Sequence, residues 1–222
     1  MKINFYPPSK QANGNFNFGE IVEKKPIGFP QDGGQLKPFS NLFYWAHAWT
    51  TGKRSTIGLH PHQGFEICTF VLRGSINHFD TKLNKWVRLD EGDVQIIRSG
   101  NGISHSEEIL ENSEIFQIWF DPDLSKSLKK PASYNDYKID EFKFTDSDDH
   151  MIRHIHNKKS KMWMDSEDIV INEYFFDKFS KETKSETKIL TDEVKDLFEN
   201  LIWPGNVLQL QNLCHSLTVL SS

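Results

Sequence analysis

Two pairs of possible metal ligands constrain this chain more than any other feature. His60 and His62 stand two residues apart, and His105 and Glu107 repeat that spacing further along. Residues two apart point the same way on an extended strand, not on a helix. Each pair is therefore expected on a β-strand. Two such strands, side by side or across a small barrel, bring four ligands to one point. Glycine turns flank both pairs: Gly64 follows the first, and Gly100-Asn101-Gly102 precedes the second.

Three imidazoles and a carboxylate suit Fe, Mn, Ni, Cu or Zn rather than Ca or Mg. A closed zinc site would more often use cysteines, and Cys68 and Cys214 have no suitable spacing. Four protein ligands on an octahedral ion leave two positions for water, a chelating substrate or dioxygen. The plainer alternative, that His60 and His62 are ordinary surface histidines, is weakened by the second pair. If the strand runs regularly through 62, 64 and 66, Glu66 also points inward, to support a ligand or move a proton. Gln117 lies in an apolar run and is expected to face the interior with Ile115 and Trp119. A buried amide needs partners, here a metal-bound water or a backbone group. His78 shares a strand face with Ile76 and is read as structural or exposed, and His47 as a core or rim residue. His154 and His156 repeat the spacing, but only His215 follows them, so no second metal is assigned there.

Strand-like runs occur at 42–50, 65–72, 75–80, 86–89, 94–97 and 114–120, with a short one near Ile21-Val22. Turn signals separate them, which points to a mainly β sandwich or barrel. Residues 121–150 are polar with two prolines and are read as a linker with little structure. Residues 168–176 are strand-like again. In the tail, Thr191 can cap a helix running to about Ile202. Asn206 can cap a second, with Leu210, Leu213, Cys214, Leu217 and Leu220 on one face.

The chain of 222 residues allows one large domain or two small ones. Its 37% hydrophobic and 26% charged residues suit a globular protein. No apolar run approaches the ~18 residues that span a bilayer, and the N-terminus has no signal-peptide core. No membrane association is expected. A formal charge of −5 gives no support for direct nucleic-acid binding. Two distant cysteines fit a reducing, cytoplasmic setting.

The run from His60 to Glu66, then Val71-Leu72-Arg73-Gly74, His78, Glu91-Gly92-Asp93-Val94-Gln95, the run from Ser99 to Glu107, and Phe116-Gln117-Ile118-Trp119 together resemble the pirin family of the cupin superfamily. The resemblance covers roughly residues 38–125. It implies a cupin-type β-barrel with His60, His62, His105 and Glu107 as ligands of one metal. That metal is usually iron, here expected as Fe(II), with Ni, Mn, Cu or Zn as alternatives. It also implies a second barrel without ligands, which here looks incomplete. The organisation expected is a metal-binding barrel at 1–125, a linker with a partial second β unit at 126–188, and a helical tail at 189–222. Family members include dioxygenases that cleave quercetin and proteins that bind a regulatory partner in an iron-dependent way. A quercetin 2,3-dioxygenase-like oxidoreductase is therefore expected, with Glu107 or Glu66 as proton acceptor. Phe65, Phe70, Phe116 and Trp119 would form walls for an aromatic small-molecule substrate. The alternative is a non-catalytic, redox-sensing module for a regulatory protein. Gln63 stands where the family often has arginine. The run from Trp203 to Asn212 resembles the lid of AAA+ enhancer-binding activators, with Leu208 in the place of a nucleotide-sensing arginine. No phosphate-binding glycine loop accompanies it, so only a helical hairpin is carried over.

Overall fold

In the computed structural model, residues 6–146 and 151–175 are described. They are mainly β and fall into two compact units. Of the described residues, 6–139 and 164–167 belong to the first, and 140–146, 151–163 and 168–175 to the second. No helix among the described residues is long and apolar enough to cross a membrane.

The first unit contains strands β1 (Ala12–Phe16), β2 (Ile21–Ile27), β3 (Leu42–Thr50), β4 (Ser55–His62), β5 (Glu66–Arg73), β6 (Ser75–Asp80), β7 (Trp86–Asp90), β8 (Val94–Arg98), β9 (Ile103–Ile109), β10 (Glu114–Phe120) and β11 (Ser133–Tyr137). Seven form one sheet in the order β1-β2-β3-β10-β5-β8-β11, and four form another in the order β4-β9-β6-β7. All pairings are antiparallel. Aromatic and β-branched residues, which fit a pleated surface, dominate β3, β5 and β10. Prolines fall where a missing N–H costs least. Pro26 sits at a register shift in β2, and Pro61 lies on the edge strand β4.

The two sheets face each other over a layered interior. One apolar cluster joins Ile21, Ala48, Val71 and Ile115 of the large sheet to Ile76, Leu89 and Ile109 of the small one. A second contains Ile67, Ile97, Ile103 and Ala132, with Phe65, Trp119 and Tyr134 against it. Strand alternation puts Thr69 between Ile67 and Val71, Gln117 between Ile115 and Trp119, and His105 and Glu107 between Ile103 and Ile109. A buried polar layer thus lies between two apolar ones. Two glycines make the crossing near it. Gly64 (φ +91°) turns the chain from the small sheet into the large one. A Cβ on Gly100 (φ +47°) would stand 2.6 Å from the Lys130 carbonyl oxygen.

Residues 121–146 are more structured than the linker expected there. Asp123 caps a short helix, α1 (Leu124–Ser127), by accepting a hydrogen bond from the Ser125 N–H. β11 extends the large sheet by pairing with β8, so the first unit runs past residue 125 to Ile139. The alternation in Ser133–Tyr137 is too polar to announce a strand, and β8 supplies the order. In the second unit, β12 (Lys143–Asp146), β13 (Met151–His156) and β14 (Ile171–Phe175) make a three-stranded antiparallel sheet. Here Arg153 pairs with Glu173 and lies over the Phe142 ring. The two helices expected in the tail lie outside the described residues.

Candidate metal centre

β4 and β9 lie side by side, with His60 opposite His105 and Ile57 opposite Glu107. Three steps along β4 therefore match two along β9. This bulge at Gly58-Leu59 turns Ile57 and His60 onto one face, which a regular strand would not do. The bulge also fixes a tautomer. The Gly58 carbonyl, 2.7 Å from His60 Nδ1, accepts a hydrogen bond from its N–H, which leaves the Nε2 lone pair free.

His60, His62 and His105 each offer a ligand atom, all within 4.8 Å of one another. The Nε2 atoms of His62 and His105 face each other at 3.0 Å. Two nitrogens bound at about 2.0–2.1 Å to one ion, at a right angle, sit about that far apart. The donor set thus fits a transition-metal dication. Burial, and next the neighbouring His60 ring, lowers the His62 pKa to about 4. Burial, followed by His60, His62 and His78, lowers His105 to about 2. Both rings are neutral at physiological pH, the form that ligates metals.

Glu107 lies two residues from His105 on β9. It groups with His105 and His78, all three buried and with ligand atoms within 4.8 Å. Its Oε1 accepts from Thr69 Oγ1 (3.2 Å) and Gln95 Nε2 (2.9 Å), and its Oε2 from Gln117 Nε2 (2.7 Å). Both amides are oriented from behind. Trp119 Nε1 donates to Gln117 Oε1 at 3.0 Å, and the Tyr134 hydroxyl to Gln95 Oε1 at 3.2 Å. A ring donor on each carbonyl oxygen leaves only the NH2 to face Glu107. Gln117 therefore faces inward as expected, but its partner is the Glu107 carboxylate.

Glu66 is not at this site. Gly64 breaks the strand, so the alternation from His62 does not carry through. Within β5 Glu66 lies three residues from Thr69, on the opposite face of the large sheet. Its carboxylate accepts from the backbone N–H groups of Asp165 (2.7 Å) and Ser166 (2.8 Å). Burial raises its pKa, against those hydrogen bonds from Ser166 and Asp165. Glu66 anchors a returning segment. The same alternation removes Phe70 and Phe116, which pair with each other across that outer face. Phe65 and Trp119 do stand at the site. They stack at 4.9 Å, and each ring lies within 5.3 Å of His62.

His78 and Asp80 were not read as site residues. Both are fully buried, and they pair opposite Glu107 and His105 on β6. The signal was the alternation Ile76-His78-Asp80: an inward Ile76 brings the other two inward. His154 and His156 gather no metal group among the described residues. His154 meets Asn172 Oδ1 (3.1 Å) and Thr145 Oγ1 (2.9 Å), and His156 meets the Met162 carbonyl (2.8 Å).

Beside the histidines the surface opens into a depression of 520 Å³. It is lined by Pro61, His62, Gln63, Thr81, Gly102, Ile103 and Ser104.

The stretch from β2 to β10, residues 21–120, matches the Pirin family model. The match covers just under half of the chain. Over 65 residues the chain is 48% identical to a pirin-like protein of Caulobacter vibrioides, 28% of each chain. Over 69 residues the chain is 41% identical to the quercetin 2,3-dioxygenase of Escherichia coli K12, covering 30% of this chain and 29% of that one. The chain thus aligns with less than a third of the length of these relatives. A bacterial pirin of E. coli, YhhW, solved in complex with nickel(II), shares the fold. Its TM-score is 0.53 at 20% identity, over 66% of this chain and 68% of that one. Beyond that stretch, residues 166–222 match the family model of the AAA+ ATPase lid domain.

Proposed function

We propose that this chain is a metal-dependent oxidoreductase: a dioxygenase acting on quercetin or a related flavonol or enediol-like aromatic, with Fe(II) as its metal. The observation that carries the reading is the position of His62. It belongs both to the three-histidine group and to the lining of the depression. A substrate seated there meets the ligand set directly. The relatives named as quercetin dioxygenases support the same reaction class.

His60, His62 and His105 would hold the metal from the β4–β9 pair, with Glu107 as the fourth ligand. When bound, the metal would supply Lewis acidity that makes an enediol hydroxyl easier to deprotonate. Phe65 and Trp119 offer a flat apolar wall beside His62 for an aromatic ring. Glu107 is the remaining candidate proton acceptor, since Glu66 lies on the far face. Thr69, Gln95 and Gln117 hold its carboxylate in place.

The test is incubation of the Fe(II)-loaded chain with quercetin, with and without oxygen, following loss of the flavonol absorbance. Oxygen-dependent loss is expected with the wild type and not with His62→Ala. An iron-loaded wild type that leaves quercetin intact in oxygen would overturn the reading. The module that binds a regulatory protein in an iron-dependent way would then take its place.

A further inference from the structure

A chain of aromatic rings leads away from His62. The Trp119 ring lies 5.3 Å from it, and the Tyr44 ring lies 4.5 Å from Trp119, tilted by 34°. Phe29, Phe43 and Phe65 close around Trp119 at 5.8, 6.0 and 4.9 Å. Centroid separations of this size are ring contacts. Two of these rings give up an electron under conditions that a protein survives: the indole of Trp119 and the phenol of Tyr44. The phenylalanines do not, and they wall the pair off. The order in space is therefore ligand, tryptophan, tyrosine.

Tyr44 has surroundings that packing alone does not require. It is 5% exposed and shares a hydrogen bond with the carboxylate of Glu23, which is 7% exposed. Burying a phenol and a carboxylate costs more than burying a phenylalanine in the same place. A phenol becomes a strong acid once oxidised, so it gives up an electron readily only where a base takes its proton. Glu23 is that base, and burial raises its pKa above the usual carboxylate value. Lys25 Nζ stands 5.8 Å over the Tyr44 ring and 3.6 Å from Glu23 Oε2. A cation over the ring disfavours a second positive charge there, so the electron and the proton leave together. Trp119 is held in place too, by its Nε1 donating to Gln117 Oε1 at 3.0 Å.

We propose that Trp119 and Tyr44 form an electron-transfer path that carries oxidising equivalents away from the metal centre when no substrate is bound, with Glu23 taking the phenolic proton. The oxidant is a peroxide. Reduction of hydrogen peroxide breaks its O–O bond and consumes two electrons and two protons, giving two waters. One electron comes from Fe(II), which becomes Fe(III). The other comes from Tyr44 by way of Trp119, and leaves a neutral tyrosyl radical. The phenolic proton moves to Glu23, and the two protons consumed come from solvent. Without the path, the second equivalent falls on the nearest oxidisable groups, His60, His62 and His105.

This rests on the proposed iron at the three histidines, but not on a flavonol substrate. The full chain is loaded with Fe(II), mixed with an equivalent of hydrogen peroxide and freeze-quenched, and the radical is read by paramagnetic resonance. The wild type is expected to show a tyrosyl signal, Tyr44→Phe a tryptophan signal in its place, and Trp119→Phe neither. Tyr44→Phe removes only a hydroxyl, so the fold is kept. Glu23→Gln keeps a hydrogen-bond acceptor but takes no proton, and should lower the tyrosyl yield at least about tenfold. Peptide mapping of the same samples gives a second readout: oxidised His60, His62 and His105 should rise severalfold in Trp119→Phe. A wild type whose iron is oxidised with no protein radical, or a tyrosyl signal that survives Tyr44→Phe, would overturn the path. So would equal histidine oxidation in the wild type and Trp119→Phe. A chain that leaves quercetin intact yet forms the Tyr44 radical overturns the flavonol reading and keeps the path, and one that binds no iron overturns both.

Discussion

The chain carries His-x-His twice, on β4 and on β13, and the two copies have different fates. His60 and His62 meet a third imidazole across the ladder, and their nitrogens are left facing one another. His154 and His156 meet a hydroxyl, an amide and a carbonyl, and their hydrogen bonds are made. The spacing alone brings two rings to one face of a strand. The neighbouring strand then decides whether they become a donor set or ordinary polar side chains. β9 brings His105 and Glu107, while β12 and β14 bring Thr145 and Asn172.

The largest effect that would sharpen this contrast is at His105. It belongs to both donor groups, so His105→Ala should abolish metal binding, with affinity at least about 100-fold down by metal titration. Retained binding would mean that β9 is not what separates the two pairs. A smaller effect is expected at the polar layer. Gln117→Leu removes a donor to buried Glu107 and should cost about 1–3 kcal/mol, read as a lower midpoint in urea. An unchanged midpoint would show that the Trp119–Gln117–Glu107 chain carries no stability.

The pH dependence follows with its sign. The folded His62 and His105 protonate only near pH 4 and pH 2, whereas unfolded histidine does so near 6.5. Between these values the unfolded chain binds more protons, so stability rises with pH. The metal-free chain should lose stability as pH falls below about 6.5. For His62 that loss levels off near 4, while for His105 it continues toward 2. A flat thermal midpoint between pH 7 and 4.5 would contradict the burial of these rings. The smallest effect is at the second pair: His154→Ala with His156→Ala should leave bound metal unchanged and cost only the lost hydrogen bonds, about 1 kcal/mol each.

Much of this was legible in the chain. The runs at 42–50, 75–80 and 114–120 are strands with the expected ends, because their aromatic and β-branched content is decisive. The pairing of the first ligand pair with the second was legible from spacing and glycine turns. What was not legible depends on register. The bulge at Gly58-Leu59 sets the face of His60, and Gly64 resets the face of Glu66. Neither shift appears in a count of residues. β11 was missed because Ser133–Tyr137 gains its order from β8 and not from its own pattern. For His78, read as structural or exposed, the choice is made by neighbours that a count of residues does not show, here Asp80 and Tyr134.

The most direct measurement is bound metal per chain after reloading in three proteins: wild type, His60→Ala with His62→Ala, and His154→Ala with His156→Ala. The first substitution pair should lose an equivalent of metal relative to wild type, and the second should lose none. Equal content in all three, or loss only from the second pair, would contradict a metal centre at the β4–β9 ladder.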